Sequence, residues 1–230
     1  MAIASHVYWL EPAEPQRPPI GPTSLFEQQA EAIDPGEADR HSDLSGTQAG
    51  ITGVHEGYRL YELGDTSGAE TVWRRGASHG DLESTAALGL LLWKRGEAQG
   101  ETWTRLAATN GQVEAMNNLG LIHDARAEWS EAETWFSRAA QKGDRSAAHN
   151  LGTLLERTGR PAEAERWLAV AAKAGDLDAA NNLGKVLFDR GDVAEAIRWF
   201  TVAAEAGHVQ AAYNLGHACE RRGQHAEAEA

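Results

Sequence analysis

The chain has 230 residues, enough for one globular domain or for one repeat array with a tail. Its net charge of −13 at pH 7 argues against unaided binding to nucleic acid or to an anionic membrane surface. A single cysteine, Cys219, excludes a disulfide framework and leads us to expect a reducing, cytoplasmic home.

The opening residues, MAIASHVYWLEPAEP, have no basic region and no long apolar stretch, so they do not read as a secretory signal. No apolar run approaches the roughly 18 residues needed to span a bilayer. Abundant alanine and an excess of arginine over lysine point to a GC-rich bacterial genome. Residues 1–23 hold Pro12, Pro15, Pro18, Pro19 and Pro22, which keep this stretch extended and out of helix. Ser24 and Glu27 have capping-box spacing, and Leu25, Phe26, Ala30 and Ile33 fit one short amphipathic helix. Asp34-Pro35-Gly36 stops it, and residues 36–53 read as a polar linker. The sequence therefore divides into a disordered, proline-rich acidic arm over 1–50 and a repeat array over 51–230.

The array is marked by one recurring string. It reads AATNGQVEAMNNLG at 107–120, AAQKGDRSAAHNLG at 139–152, AAKAGDLDAANNLG at 171–184 and AAEAGHVQAAYNLG at 203–216. A worn copy, GASHGDLESTAALG, fills 76–89. The closing glycines Gly89, Gly120, Gly152, Gly184 and Gly216 are separated by 31, 32, 32 and 32 residues, a period that signifies stacked repeats. Five full units follow from Gly57 (57–88, 89–119, 120–151, 152–183 and 184–215), and a sixth is truncated. Each supplies two helices. In the fifth, Asp176 is placed to cap a helix that ends at Gly191, and Asp192 to cap a second that ends at Gly207. In the sixth, a helix over about 209–222 is expected, with Gly223 turning the chain. No single helix carries an apolar stripe wide enough to stand alone, so neighbouring units must complete the core.

A glycine inside a helix costs roughly 1 kcal/mol relative to alanine. Something must offset that cost at each repeat glycine. Twelve residues later comes a small residue, as in Ala132, Ala164 and Ala196, which predicts a close glycine–alanine contact within each hairpin. A bulky residue follows four later (Phe136, Leu168, Phe200), preceded by a tryptophan (Trp135, Trp167, Trp199) that reads as packing.

The Leu183, Gly184, Gly191, Ala196, Phe200, Ala203 spacing resembles the tetratricopeptide repeat, and the junction W-x3-AA-x2-G-x3-A-x3-LG resembles the Sel-one-like repeat. The 32-residue period is about two shorter than a tetratricopeptide unit, and the usual proline between units is absent. The resemblance implies an all-α solenoid of helical hairpins, a right-handed superhelix whose first helices line a concave, partner-binding groove.

On that expectation, the residues two before the repeat glycines, Asn118, Asn150, Asn182 and Asn214, have two readings. They bind the backbone of an extended peptide, or they bind the neighbouring unit and set its stacking. The residues one earlier, Asn117, His149, Asn181 and Tyr213, are expected to be exposed in the groove. Arg157, Lys185, His217 and Arg221 stand one or five residues after a repeat glycine, positions that point inward in tetratricopeptide arrays. The likeness to carboxylate-binding arrays is partial, because Ser146, Asn150, Asp178 and Asn182 occupy the positions where those arrays carry basic residues.

The histidines occupy different points of the repeat and form no zinc-ligand spacing, and Cys219 reads as a small core residue. No nucleophile elbow, phosphate loop or metal-hydrolase helix pair occurs. The function expected is a non-enzymatic protein-interaction scaffold, without cofactor or metal, that binds a partner peptide or helix. It is expected as a monomer, with end-to-end dimerisation through the truncated unit as the other state. The alternatives are a hydrolase on a Sel-one-like scaffold and a self-assembling structural array.

Overall fold

The computed structural model describes residues 48–228, with side chains from 53 to 223. The arm proposed over 1–50, except for its last three residues, and its helix near 24–33 lie outside the described residues. Among these residues there are eleven helices and no strand. Packing divides the chain into two compact units, the first ending at Val72 and the second running from Trp73 to Ala230.

In the first unit, α1 (Gln48–Glu62) begins within the 36–53 stretch that the sequence marks as linker. That early start sets the buried Val54 and Gly57 on one face of an unbroken helix. Gly64, in the left-handed region at φ 82°, turns the chain. The Asp65 carboxylate then accepts a 2.8 Å hydrogen bond from the Gly68 N–H at the start of α2 (Thr66–Ser78).

The second unit is an all-α solenoid of helical hairpins. Its pairs are α3 (Leu82–Lys94) with α4 (Gln99–Thr109), α5 (Val113–Ala125) with α6 (Trp129–Gln141), α7 (Arg145–Arg157) with α8 (Pro161–Lys173), and α9 (Leu177–Arg190) with α10 (Val193–Glu205). A last helix, α11, spans Val209–Ala228. Each helix packs on the next, and the first helices also touch across repeats, α3 with α5, α7 with α9, and α9 with α11.

Helix ends follow the 32-residue pattern, with one capping expectation not met and one turn glycine replaced. Asp176 caps α9 by accepting from the Ala179 N–H at 2.8 Å, and Gly191 ends it at φ 100°. Asp192, by contrast, makes no capping bond to α10, because its carboxylate is taken by the Arg190 guanidinium. The residue equivalent to Gly191 in the α5–α6 turn is Ala127, held at φ 58°.

The packing adds a second partner to the glycine–alanine pairing. A methyl group built on Gly120 would stand 2.5 Å from the Phe136 ring, and one on Gly152 2.6 Å from Leu168 Cγ. The nearest partner is therefore sixteen residues on: a side chain of the second helix lies flat on the bare backbone of the first, while in the hairpin of Gly89 the small residue also comes close, a methyl group built on Gly100 standing 2.8 Å from the Gly89 carbonyl oxygen. The small residue at twelve (Ala132, Ala164, Ala196, each fully buried) sits one turn before that bulky side chain.

The sixth unit also departs from expectation. Gly223 does not turn the chain, and α11 continues as one helix to Ala228. Nothing lies within 4 Å of a methyl group built on Gly216, so no second helix folds back on it among the described residues. Cys219 is consequently exposed, whereas its equivalents Leu92, Leu155 and Leu187 are buried beneath the second helix of their own hairpins.

Candidate functional site

The asparagine rows join repeats to one another. Asn150 Nδ2 donates to Asn117 Oδ1 at 2.9 Å, and Asn214 Nδ2 donates to Asn181 Oδ1 at 2.8 Å. In the intervening step Asn182 Nδ2 lies 3.2 Å from His149 Nε2. Each contact spans 33 residues, from two before one repeat glycine to three before the preceding one. This geometry corrects the expected exposure of the earlier row. Asn117 and Asn181 are only 6% exposed because each accepts from the next repeat, and His149 is half-buried. Tyr213, at the same register in α11, is 45% exposed; its ring meets His217 edge-on at 4.9 Å, and its hydroxyl lies 3.0 Å from His217 Nε2.

Asn118 breaks the series. It is 3% exposed, yet its Nδ2 has no hydrogen-bond partner. The register puts Ala86 where Asn117, His149 and Asn181 supply an acceptor, and a methyl group accepts nothing.

A second seam runs along the C-terminal halves of the first helices. Arg157 is ion-paired with Asp124. One repeat on, Glu156 feels both Lys185 and Asp189; burial is the largest influence and raises its carboxyl above the usual range, Lys185 opposes this, and Asp189 adds to it. In the last step the Arg221 guanidinium stacks 4.6 Å over the ring of buried Phe188. The cations expected to point inward are thus partly committed to neighbouring repeats, while Lys185 and His217 stay half-buried.

The N-terminal ends of the same helices carry acids. Glu83 and Glu114 both stand six residues before a repeat glycine, and Asp144 caps α7 by accepting from the Ala147 N–H at 2.7 Å. Burial first, then the carboxylates of Glu83 and Asp144, push the Glu114 carboxyl up to about 7. Farther along, burial raises the Asp176 carboxyl, but His149, the Ala179 N–H and Arg145 together outweigh it and hold it below the usual range.

With the hairpins, bare glycines and inter-repeat seams in view, the family comparison is decisive. Residues 113–142, 149–208 and 182–230 match the tetratricopeptide repeat. The chain is a tetratricopeptide-like repeat protein. Its Sel-one-like features appear in solved structures with the same fold. A protective antigen of uropathogenic Escherichia coli with an SLR fold is 25% identical, with a TM-score of 0.66 over 86% of this chain and 44% of that one. The array thus spans under half the length of that antigen. A Sel1 repeat protein from Oxalobacter formigenes is 21% identical, with a TM-score of 0.61 over 83% of this chain and 80% of that one. Pseudomonas aeruginosa pilF is 17% identical, with a TM-score of 0.62 over 70% and 78%. No curated protein matches the sequence.

Within this tetratricopeptide-like array the described residues include no helix long and apolar enough to cross a membrane. They also contain no group of three His, Cys, Asp or Glu side chains arranged to hold a metal ion. Sequence reasoning overlooked Glu83 and Glu114. The signal was present: the position six before the repeat glycine is acidic in Glu83, Glu114 and Asp178, and of these stacking half-buries the first two while Asp178 stays exposed.

Proposed function

We propose that this chain is a non-enzymatic scaffold of a reducing, cytoplasmic compartment that binds a partner peptide on the face formed by its first helices. The observation that carries this reading is the distribution of polar groups. His149, Asn182, Lys185, Tyr213 and His217 remain half-buried or exposed along three consecutive first helices, forming a polar strip on one side of the stack. The amides of Asn117, Asn150, Asn181 and Asn214 lie beneath it, fixing the spacing at which the strip is presented. Arg157 and Arg221 line the same strip, anchored by Asp124 and Phe188.

Photo-crosslinking tests the reading. A benzophenone side chain at Tyr213 or Lys185 should capture partner protein, and one at Val202 on α10 should not. Lys185→Glu together with Tyr213→Ala should abolish capture without changing the circular dichroism of the full chain. Crosslinks from Val202 alone would move the interface to the second helices.

Open space at Gly216 favours a second reading, end-to-end association through α11. Sedimentation across the micromolar range separates the two, since a monomer at every concentration removes it.

A further inference from the structure

We propose that the uncovered face of α11 is a docking site for an amphipathic helix of a partner protein. That helix takes the place a second helix fills in the earlier hairpins: it opens on an acidic residue beside Arg222 and lays a phenylalanine or leucine flat on Gly216. This goes beyond the polar strip of the first helices, and it gives the open space at Gly216 to a foreign helix in place of a second copy.

The earlier hairpins show what this face receives. Phe136, Leu168 and Phe200 cover Gly120, Gly152 and Gly184, each with a buried alanine one turn before it. Gly216 keeps the same register, yet nothing lies within 4 Å of a methyl group built on it. Val209, Ala212, Gly216 and Cys219 follow one another along α11 at steps of three, four and three residues, the seam of a helix–helix contact. Val209 is 84% exposed, and Ala212 and Cys219 are exposed as well. At the registers of Ala212 and Cys219, Ala148, Ala180, Leu155 and Leu187 are all buried. Two such faces set against each other would oppose small side chains to small side chains and leave both glycines bare. A helix that carries one large apolar group fits better.

The charge at the C-terminal end of the face points the same way. Arg126 pairs with Glu101 at 2.7 Å. Arg190 pairs with Glu165 on the preceding second helix and with Asp192 at the start of the following one. Arg222 stands at the register of Arg190, but Ile197 and Gln224 replace the two acids. A cavity of about 510 Å³ opens beside it, lined by Gly191, Asp192, Val193, Glu195, Arg198 and Arg222. An incoming helix that begins on a carboxylate, as α10 begins after Asp192, gives Arg222 the partner that Arg190 has. Its residue eight positions on, at the place of Phe200, then stands over Gly216.

The test uses the full chain and a synthetic peptide with the sequence Asp192–Ala206, read by the rate at which Cys219, the single cysteine, is alkylated. Peptide at about ten times its Kd should slow alkylation about tenfold. A Phe200→Ala version of the peptide should bind roughly thirtyfold more weakly. Gly216→Leu in the chain, which meets open space, should abolish protection and leave the helix content unchanged. Arg222→Glu should weaken binding roughly tenfold, and an Asp192→Lys version of the peptide should restore it. No protection, protection that survives Gly216→Leu, or equal protection by the Phe200→Ala peptide would overturn the proposal. So would alkylation that slows with protein concentration alone, which would give the face to a second copy. None of these outcomes touches the first-helix strip, on which crosslinks from Lys185 report separately.

Discussion

The backbone of Gly184 in α9 lies flat against the ring of Phe200 in α10, so that a methyl group at Gly184 would stand 2.5 Å from Phe200 Cε1. Phe200 is fully buried and cannot retreat. Gly184→Ala should therefore lose about 1–3 kcal/mol to overpacking, more than the roughly 1 kcal/mol gained in helix propensity. Gly216→Ala, in open space, should keep that gain and stabilise. Urea unfolding of both variants checks the contrast; a stabilised Gly184→Ala would show that the ring has room to move.

Ala127 holds a left-handed conformation that glycine occupies at the equivalent Gly96, Gly159 and Gly191. An L-residue there costs about 1–2 kcal/mol, partly offset by the greater freedom of glycine in the unfolded chain. Ala127→Gly should stabilise by roughly 0.5–1 kcal/mol, and Gly159→Ala should destabilise comparably. Thermal melts of the two variants should move in opposite directions.

The asparagines should separate by their bonds, not by their type. Asn214→Leu removes the donor to Asn181 Oδ1 and strands a buried acceptor, a loss of about 1–3 kcal/mol. Asn118→Leu removes a donor that has no partner, and should be neutral or stabilising. Equal losses at the two sites in chemical denaturation would mean that the ladder bonds carry none of the difference.

Glu114 sets a pH dependence. Its carboxyl titrates near 7 in the folded chain against an ordinary 4.5, so the folded state holds the proton more tightly. Its contribution to stability is complete below pH 4.5, falls as pH rises, and is lost above 7. Glu114→Gln should erase this part of the profile and exceed the wild type at pH 8 by on the order of 2 kcal/mol. Melts of both proteins at pH 5 and pH 8 give the difference; a gap that does not widen with pH would place Glu114 in solvent.

The period, the hairpins and the αL turn at Gly191 were legible because local spacing determines them. The Gly184–Phe200 contact was half legible: both residues recur, but which second-helix position meets the glycine depends on how the hairpin closes. The Asn214–Asn181 bond could be framed only as one of two readings, since a 33-residue step is visible in sequence while its geometry is not. The turn expected at Gly223 failed because glycine permits a left-handed turn without requiring one; with nothing folded back on Gly216, continuing the helix saturates more backbone hydrogen bonds. Cys219 follows from the same missing cover. Glu114 was passed over because an acid near a helix N-terminus is ordinary in one helix, and becomes unusual only when the next repeat is stacked upon it.

The inter-repeat amide contacts also give the repeats a grammar. The unit closing at Gly120 can accept at Asn117, but its donor Asn118 faces a predecessor that offers only Ala86. The units closing at Gly152 and Gly184 can do both, through His149 with Asn150 and Asn181 with Asn182. The unit closing at Gly89, with Ala86 and Ala87 at these positions, can do neither. Duplicating the block that closes at Gly184 would therefore lengthen the array without stranding an amide, whereas moving the Gly89 block inward would leave one idle at every new junction. The modules are alike in shape but not interchangeable in order.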